Sequence, residues 1–374
     1  MRCKKSRHIP GIIALILGSG LIVSCGSLES DSELHGVSLG DFRDKLRQRL
    51  DGQVVGYSFS LQKNGTVING SGGKAKRGAD GNVDMSAATR IYTASVTKNL
   101  TAIGVLQLLR SHNLGISSKI SPFLPGDWAQ GPGIKDLTFE DLLRHRSGLG
   151  QKYQSLSDAD KKKWTKDWDG LKFIVQKGTS SDRSADYENA NFGLFRVIIP
   201  ALWKASGDHP GIGPIVESSA GFWYVSYMQN HVFKPLGIES VTCRPQSAYP
   251  NTLAYVSPSS KESGASTALA LKDCGGQGGL HLSSSELRRI EWTLATTEEL
   301  LPASWRNLMD QKGLGWDSYS NGIYQKNGAL TFSGGRRVET CVSKFPGPVV
   351  ATLVVNSNFA DEPCRVLRSV FQSL

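Results

Sequence analysis

The 374-residue chain has no C-x-x-C, no H-E-x-x-H and no grouping of histidines with cysteines. Without that ligand spacing no metal centre is expected. It also lacks any run of lysine and arginine interleaved with aromatic residues, which argues against nucleic acid as a partner. No G-x-S-x-G pentapeptide occurs; the nearest stretch, GASTA around Ser266, ends in alanine. The nucleophile elbow of a Ser-His-Asp hydrolase is therefore missing. No internal repeat is found, and no motif supports sugar binding or transport. The apolar stretch near the N-terminus is too short to span a bilayer comfortably.

That stretch has another reading. MRCKKSRHIPGIIALILGSGLIVSC places Arg2, Lys4, Lys5 and Arg7 ahead of the apolar segment and small residues at its end, the layout of an export signal. LIVSC resembles the bacterial lipobox, which implies a signal peptide over residues 1–24 and acylation of Cys25 as the mature N-terminus. The alternative is an ordinary secretory signal with an incidental cysteine. Residues 25–36 then serve as a lipidated N-terminus and polar linker, and the expected location is the periplasmic face of a membrane or the cell surface. Removing residues 1–24 lowers the formal charge from +10 to +6, a mildly basic protein.

Four cysteines remain besides Cys3 and Cys25. An even number in an exported chain favours disulfides, and four allow three pairings. Sequence proximity alone favours Cys243 with Cys274 and Cys341 with Cys364.

The chain is long enough for one large domain or two interleaved ones. Helical spacing marks residues 36–50, and alternation around Asn64-Gly65 marks a hairpin. Helical patterns follow at 95–112, 138–145, 191–205 and 220–233, broken by Gly/Pro loops. ALTFSGGRRVETCVSKFPGPVVATLVVNSN reads as two strands joined at FPGP, before a last helix through PCRVLRSVFQSL. Strands at both ends with helices between them predict an α/β (α+β) fold. Its antiparallel sheet is shared by N- and C-terminal segments and flanked by helices, with an inserted all-helical lobe.

Three S-x-x-K tetrapeptides occur. Ser60 and Lys63 lie in a strand, where positions three apart face opposite ways. Ser71 and Lys74 lie in a glycine turn that would hold neither still. Ser95 and Lys98 begin the helical run TASVTKNLTAIGVLQLL, where residues three apart share a face. A helix N-terminus supplies unpaired N–H groups and the positive dipole end, which favour a developing alkoxide. A lysine can take the serine proton only if desolvation or a second cation lowers its pKa. Simple capping by Ser95 is the competing reading.

TASVTKNLTAIGVLQLL followed by LTFEDLLRHRSGLG resembles the serine beta-lactamase and penicillin-binding-protein superfamily, most of all its class C beta-lactamase, D-aminopeptidase and esterase branch. The likeness runs from about residue 50 to the C-terminus. It implies a catalytic domain over residues 37–374, with the sheet lobe at about 37–95 and 285–374 and the helical lobe at about 96–284. It also implies a Y-x-N element, for which YEN (187–189), YPN (249–251) and YSN (319–321) are candidates. Tyr187 has the expected polar loop before it and helix after it. The K-T-G element of the family is best matched by Lys326-Asn327-Gly328, with SGG (333–335) as the competing alignment. The resemblance makes Ser95 the nucleophile, with Lys98 and Tyr187 as a coupled proton network. Asn189 would orient the lysine or a substrate amide, Lys326 would bind an anionic substrate group beside Asn327 and Gly328, and the Ser95 and Ala329 N–H groups would form the oxyanion hole.

His145 is expected to brace its loop, Ser283 and Glu286 to form a capping box, and Gly237 to end a helix. The implied reaction is acyl transfer on amide or ester bonds of a small-molecule or peptide substrate, such as one derived from the cell wall, without a cofactor. A cell-wall-binding relative that keeps the fold without turnover is the alternative.

Overall fold

The computed structural model describes residues 36–270 and 273–374; the expected signal peptide and Cys25 lie outside the described residues. The strands are β1 (Gly56–Lys63), β2 (Thr66–Lys76), β3 (Val83–Asp84), β4 (Ile91–Tyr92), β5 (His281–Leu282), β6 (Ser318–Ser320), β7 (Ile323–Thr331), β8 (Arg337–Phe345) and β9 (Val349–Val355). Seven of them form one antiparallel sheet in the order β3-β2-β1-β9-β8-β7-β6. Asn64 and Gly65 both take positive φ, 47° and 81°, which suits the tight turn between β1 and β2. The N-terminal and C-terminal segments meet where β1 pairs with β9, Tyr57 opposite Val355.

Alternation along these strands assigns the two faces. Phe59, Leu61, Leu353 and Val355 pack with helices α1 (Leu39–Leu50) and α12 (Pro363–Gln372). The opposite face carries Ser58 and Thr352, which hydrogen-bond to Ser284 at the start of α10 (Ser284–Thr296). Ser283 and Glu286 form the expected capping box there, and Gly237 ends its 3-10 turn in the left-handed region.

Between the two halves of the sheet lie α2 (Val96–Ser111), α3 (Phe139–Leu143), α4 (Leu149–Gln154), α5 (Asp158–Lys163), α6 (Trp168–Lys177), α7 (Asn189–Gly193), α8 (Phe195–Ser206) and α9 (Glu217–Met228); α11 (Ala303–Lys312) follows α10. The segment expected as one helix at 191–205 is two, parted at Leu194. The lobe is not wholly helical either: β4 and β5 pair at its base, Tyr92 opposite His281. The stretch over residues 329–358, expected as two strands, holds parts of three. ALT closes β7, FSGG turns the chain, and FPGP joins β8 to β9. Ser333–Gly335 is thus a turn, with Gly334 and Gly335 at φ 70° and 74°, so the SGG alignment does not supply a site strand.

Cys243 pairs with Cys274 and Cys341 with Cys364, at Cα separations of 5.7 and 5.3 Å. The second bridge ties β8 to α12.

Candidate active site

The chain leaves β4 through Thr93 and Ala94 and enters α2 at Ser95. Thr93 is clamped from two sides: its N–H and its hydroxyl both donate to Leu280 O at 2.9 Å, and Thr340 Oγ1 donates to its carbonyl at 2.8 Å. Ala94 sits at φ 46°, a left-handed conformation that costs a non-glycine residue on the order of 1–3 kcal/mol. The clamp on Thr93 holds that turn in place and presents Ser95 at the head of α2.

Ser95 occupies the N-cap position, but its side chain makes no capping bond. Instead, Lys98 Nζ and Tyr187 Oη both donate to Ser95 Oγ, at 3.0 and 2.7 Å. Three residues separated by 92 positions in the chain therefore converge on one oxygen.

Lys98 is 0% exposed. Its nitrogen also meets Asn189 Oδ1 at 2.8 Å and the Gln277 carbonyl at 2.7 Å. Burial, reinforced by the nearby Lys326 cation, holds its pKa well below that of an ordinary lysine. A neutral amine has two protons and one lone pair. The charged amine donates to all three oxygens; once neutral, it keeps its two protons on Asn189 Oδ1 and Gln277 O, which can only accept, and its lone pair replaces the proton aimed at Ser95 Oγ. That is the orientation a base needs.

Tyr187 contributes differently. Burial raises its phenol above the ordinary range, opposed by the bond to Ser95, so it stays protonated and donates; the tendency is tempered because 48% of the residue remains open to solvent. Its ring is flanked by Lys98 Nζ at 5.0 Å and Lys326 Nζ at 5.1 Å. His145 stacks on it with ring centroids 4.5 Å apart. His145 Nδ1 accepts the Glu188 N–H at 3.3 Å and faces Asn191 Nδ2 at 3.1 Å. Burial, with Lys326 and Lys98 adding to it, keeps this imidazole neutral. His145 therefore backs the tyrosine loop and does not reach Ser95. The middle residue of Y-E-N also has work: Glu188 caps α7 through the Ala190 N–H and pairs with Lys166 at 3.5 Å.

Strand β7 forms the other wall. A Cβ on Gly328 would meet the Thr93 carbonyl and lie 3.0 Å from Ser95 N, so only glycine lets the strand approach the head of α2. The Asn327 N–H points off the free edge of β7 to Asp317 Oδ2, 3.0 Å away. N–H groups two apart on a strand share a direction, so the Ala329 N–H leaves the same edge, into a cleft of about 280 Å³ that Ala329 lines with Ser95, Asn189, Lys166 and Gln277.

Two expectations for this strand are corrected. Lys326 reaches the site but is 1% exposed and already ion-paired with Asp317, so it is not an open cation awaiting an anionic substrate group. Asn327, one residue on, turns its side chain to the other face. There it lines a separate recess of about 430 Å³ with Gln325, Cys364 and Arg368, so its side chain does not bind substrate beside Ser95. Tyr249 and Tyr319 lie elsewhere: Tyr249 stacks on Arg90, and Tyr319 lies across Gly313. Sequence reading missed Asp317 and Gln277. Gln277 acts through its carbonyl, which no side-chain motif can show.

A family model described as Beta-lactamase matches residues 42–368. The chain belongs to the Beta-lactamase family. PbpX of Bacillus subtilis (strain 168), provisionally named a penicillin-binding protein, is 27% identical over 188 residues, 49% of this chain and 41% of that protein. The chain spans 35–41% of the length of the curated relatives it matches. Among solved structures, the octameric penicillin-binding protein homologue from Pyrococcus abyssi is similar with a TM-score of 0.66 at 16% identity, over 90% of this chain and 77% of that one. D-amino acid amidase from Ochrobactrum anthropi SV3, complexed with L-phenylalanine, gives a TM-score of 0.66 at 17% identity, over 90% of this chain and 99% of that one. At those identities the likeness is one of fold, which in this chain is a mixed α/β arrangement with a seven-stranded antiparallel sheet.

Proposed function

We propose that this Beta-lactamase family member is an exported serine hydrolase that forms an acyl-enzyme on Ser95, of the class C beta-lactamase, D,D-peptidase and esterase kind. The observation that carries the reading is the convergence of Lys98 Nζ and Tyr187 Oη on Ser95 Oγ. A serine that merely capped its helix would bond to α2, and this one does not.

In the proposed reaction Ser95 Oγ attacks a carbonyl carbon while its proton passes to the Lys98 lone pair. The carbonyl π electrons move to oxygen, which the Ser95 and Ala329 N–H groups receive. One such donor is typically worth about 2.7–4 kcal/mol of transition-state stabilisation. The Tyr187 hydroxyl gives its proton to the departing amine or alkoxide as the bond to carbon breaks, and the proton on Lys98 restores it. Water then attacks the ester on Ser95 by the same route in reverse. Burial does most to hold Lys98 neutral; the Lys326 cation adds to it and Asp317 opposes it. Lipid on Cys25, beyond linker residues 26–36, would tether the domain to a membrane facing a small-molecule or peptide substrate.

The test compares purified protein with its Ser95→Ala variant. Against a fluorophosphonate, nitrocefin, p-nitrophenyl esters and D-alanyl peptides, the parent should be labelled and turn over at least one class, and the variant should do neither. Equal labelling of both would remove Ser95 from the role. A parent that is folded yet unlabelled and inert would leave the non-catalytic, cell-wall-binding alternative.

A further inference from the structure

We infer that Asp317 is a resident carboxylate filling the anion position beside Lys326, so that the preferred substrates are esters or amides whose leaving group carries no carboxylate next to the scissile bond. The inference rests on the hydrolase reading above and narrows its substrate class.

Two donors on β7 could hold an incoming carboxylate: the Lys326 ammonium and the outward N–H of Asn327. Asp317 takes both, Oδ1 pairing with Lys326 Nζ and Oδ2 accepting the Asn327 N–H at 3.0 Å. Asp317 is itself fixed, because its own N–H donates to the Gln325 carbonyl at 2.9 Å where β6 and β7 meet. It stands one residue before the Ser318–Gln325 rung of the ladder, which brings its carboxylate to the lysine that follows Gln325.

The electrostatics follow. Lys326 is almost wholly buried, and one carboxylate already balances its charge. A substrate carboxylate brought to the same place would meet a neutral pair whose outer member is an anion. Asp317 and Tyr187 also line a recess of about 470 Å³ together with Arg144, Arg146 and Asp186. Like charges so placed repel, while an uncharged group meets no such penalty.

The experiment uses an N-acylglycyl thioglycolate and its methyl ester, two thioesters that differ by one carboxylate in the leaving group. Wild-type protein should prefer the methyl ester by about 100-fold in kcat/KM. Asp317→Asn should shrink that ratio to about tenfold or less, mainly by improving the carboxylated substrate. General damage to the site would lower both substrates and leave the ratio alone. Asp317→Ala provides a second variant, and fluorophosphonate labelling of Ser95 shows whether each variant keeps a working nucleophile. A wild-type ratio near one, or a ratio unmoved in both variants, overturns the inference while the hydrolase reading stands. Failure of the wild type to cleave either thioester, together with no labelling of Ser95, removes the hydrolase reading and this inference with it.

Discussion

The Gln277 carbonyl lies 2.7 Å from Lys98 Nζ, and with Asn189 Oδ1 it decides where the amine can point its lone pair. A backbone oxygen cannot give up a proton, so this contact works only with an N–H of the lysine. The base is oriented by a group that no substitution of residue 277 can delete.

Lys98→Arg should therefore fail as a replacement. A guanidinium stays charged at any working pH and offers no lone pair. Fluorophosphonate labelling is expected to slow by about 10²–10⁴-fold, the usual range for losing a positioned base. In the unmodified protein, kcat/KM should rise with pH through the depressed pKa of Lys98, because the neutral amine is the active form. A profile that falls as pH rises through the acid range would oppose this assignment.

Tyr187→Phe keeps the ring against His145 and between the two lysines, and removes only the hydroxyl. Thermal stability should change little. The kinetic loss should depend on the leaving group: amides and alkyl esters need a proton as the bond breaks and should lose about 10²–10³-fold, whereas p-nitrophenolate departs unprotonated and should lose much less. Equal losses across a series of leaving groups would place Tyr187 in some other step.

Ser95 and Lys98 were legible together because they sit three apart at a helix start, where they share a face; Tyr187 was picked out only through the family resemblance, which implies a Y-x-N element, and by the polar loop before it and the helix after it. Asn189 was legible for the same reason. The hairpin at Asn64-Gly65 could be read from the requirement for positive φ at two successive positions. Asp317 could not be read. It meets Lys326 only because β6 and β7 fold back on each other, and no local pattern announces a pairing made across a turn. The faces of β7 were misjudged likewise, since Lys326-Asn327-Gly328 was taken as one binding element although alternation sends its middle side chain to the far side of the sheet. The parting of α7 from α8 escaped because the apolar period runs on through Leu194 unbroken.

Glu291 on α10 offers a prediction about stability. It is 0% exposed and neither carboxyl oxygen has a hydrogen-bond partner among the described residues. Burial pushes its pKa up to about 8 from 4.5. The folded form thus binds more protons than the unfolded chain between those values, so stability should fall as pH rises from 4.5 to 8. Glu291→Met should raise stability near pH 7.5 by about 1–3 kcal/mol and flatten that slope. Urea denaturation at pH 5 and 7.5 measures both, and a destabilised variant at the higher pH would refute the claim.

The bridges should matter to folding more than to chemistry. Cys341→Ala with Cys364→Ala opens a loop of 23 residues, and Cys243→Ala with Cys274→Ala one of 31. Each is expected to cost about 2–4 kcal/mol in denaturant unfolding while leaving fluorophosphonate labelling of the folded protein near the parent rate. Loss of labelling at full foldedness would give the bridge a direct part in shaping the site.

Because β9 lies beside β1 at the middle of the sheet, a chain emerging from a ribosome holds its first hairpin with one flank bare until nearly three hundred further residues have been made. Premature closure of the architecture is barred by topology, whatever the local propensities. The central pairing of the sheet therefore waits for the C-terminal strands, however early the helices between them form.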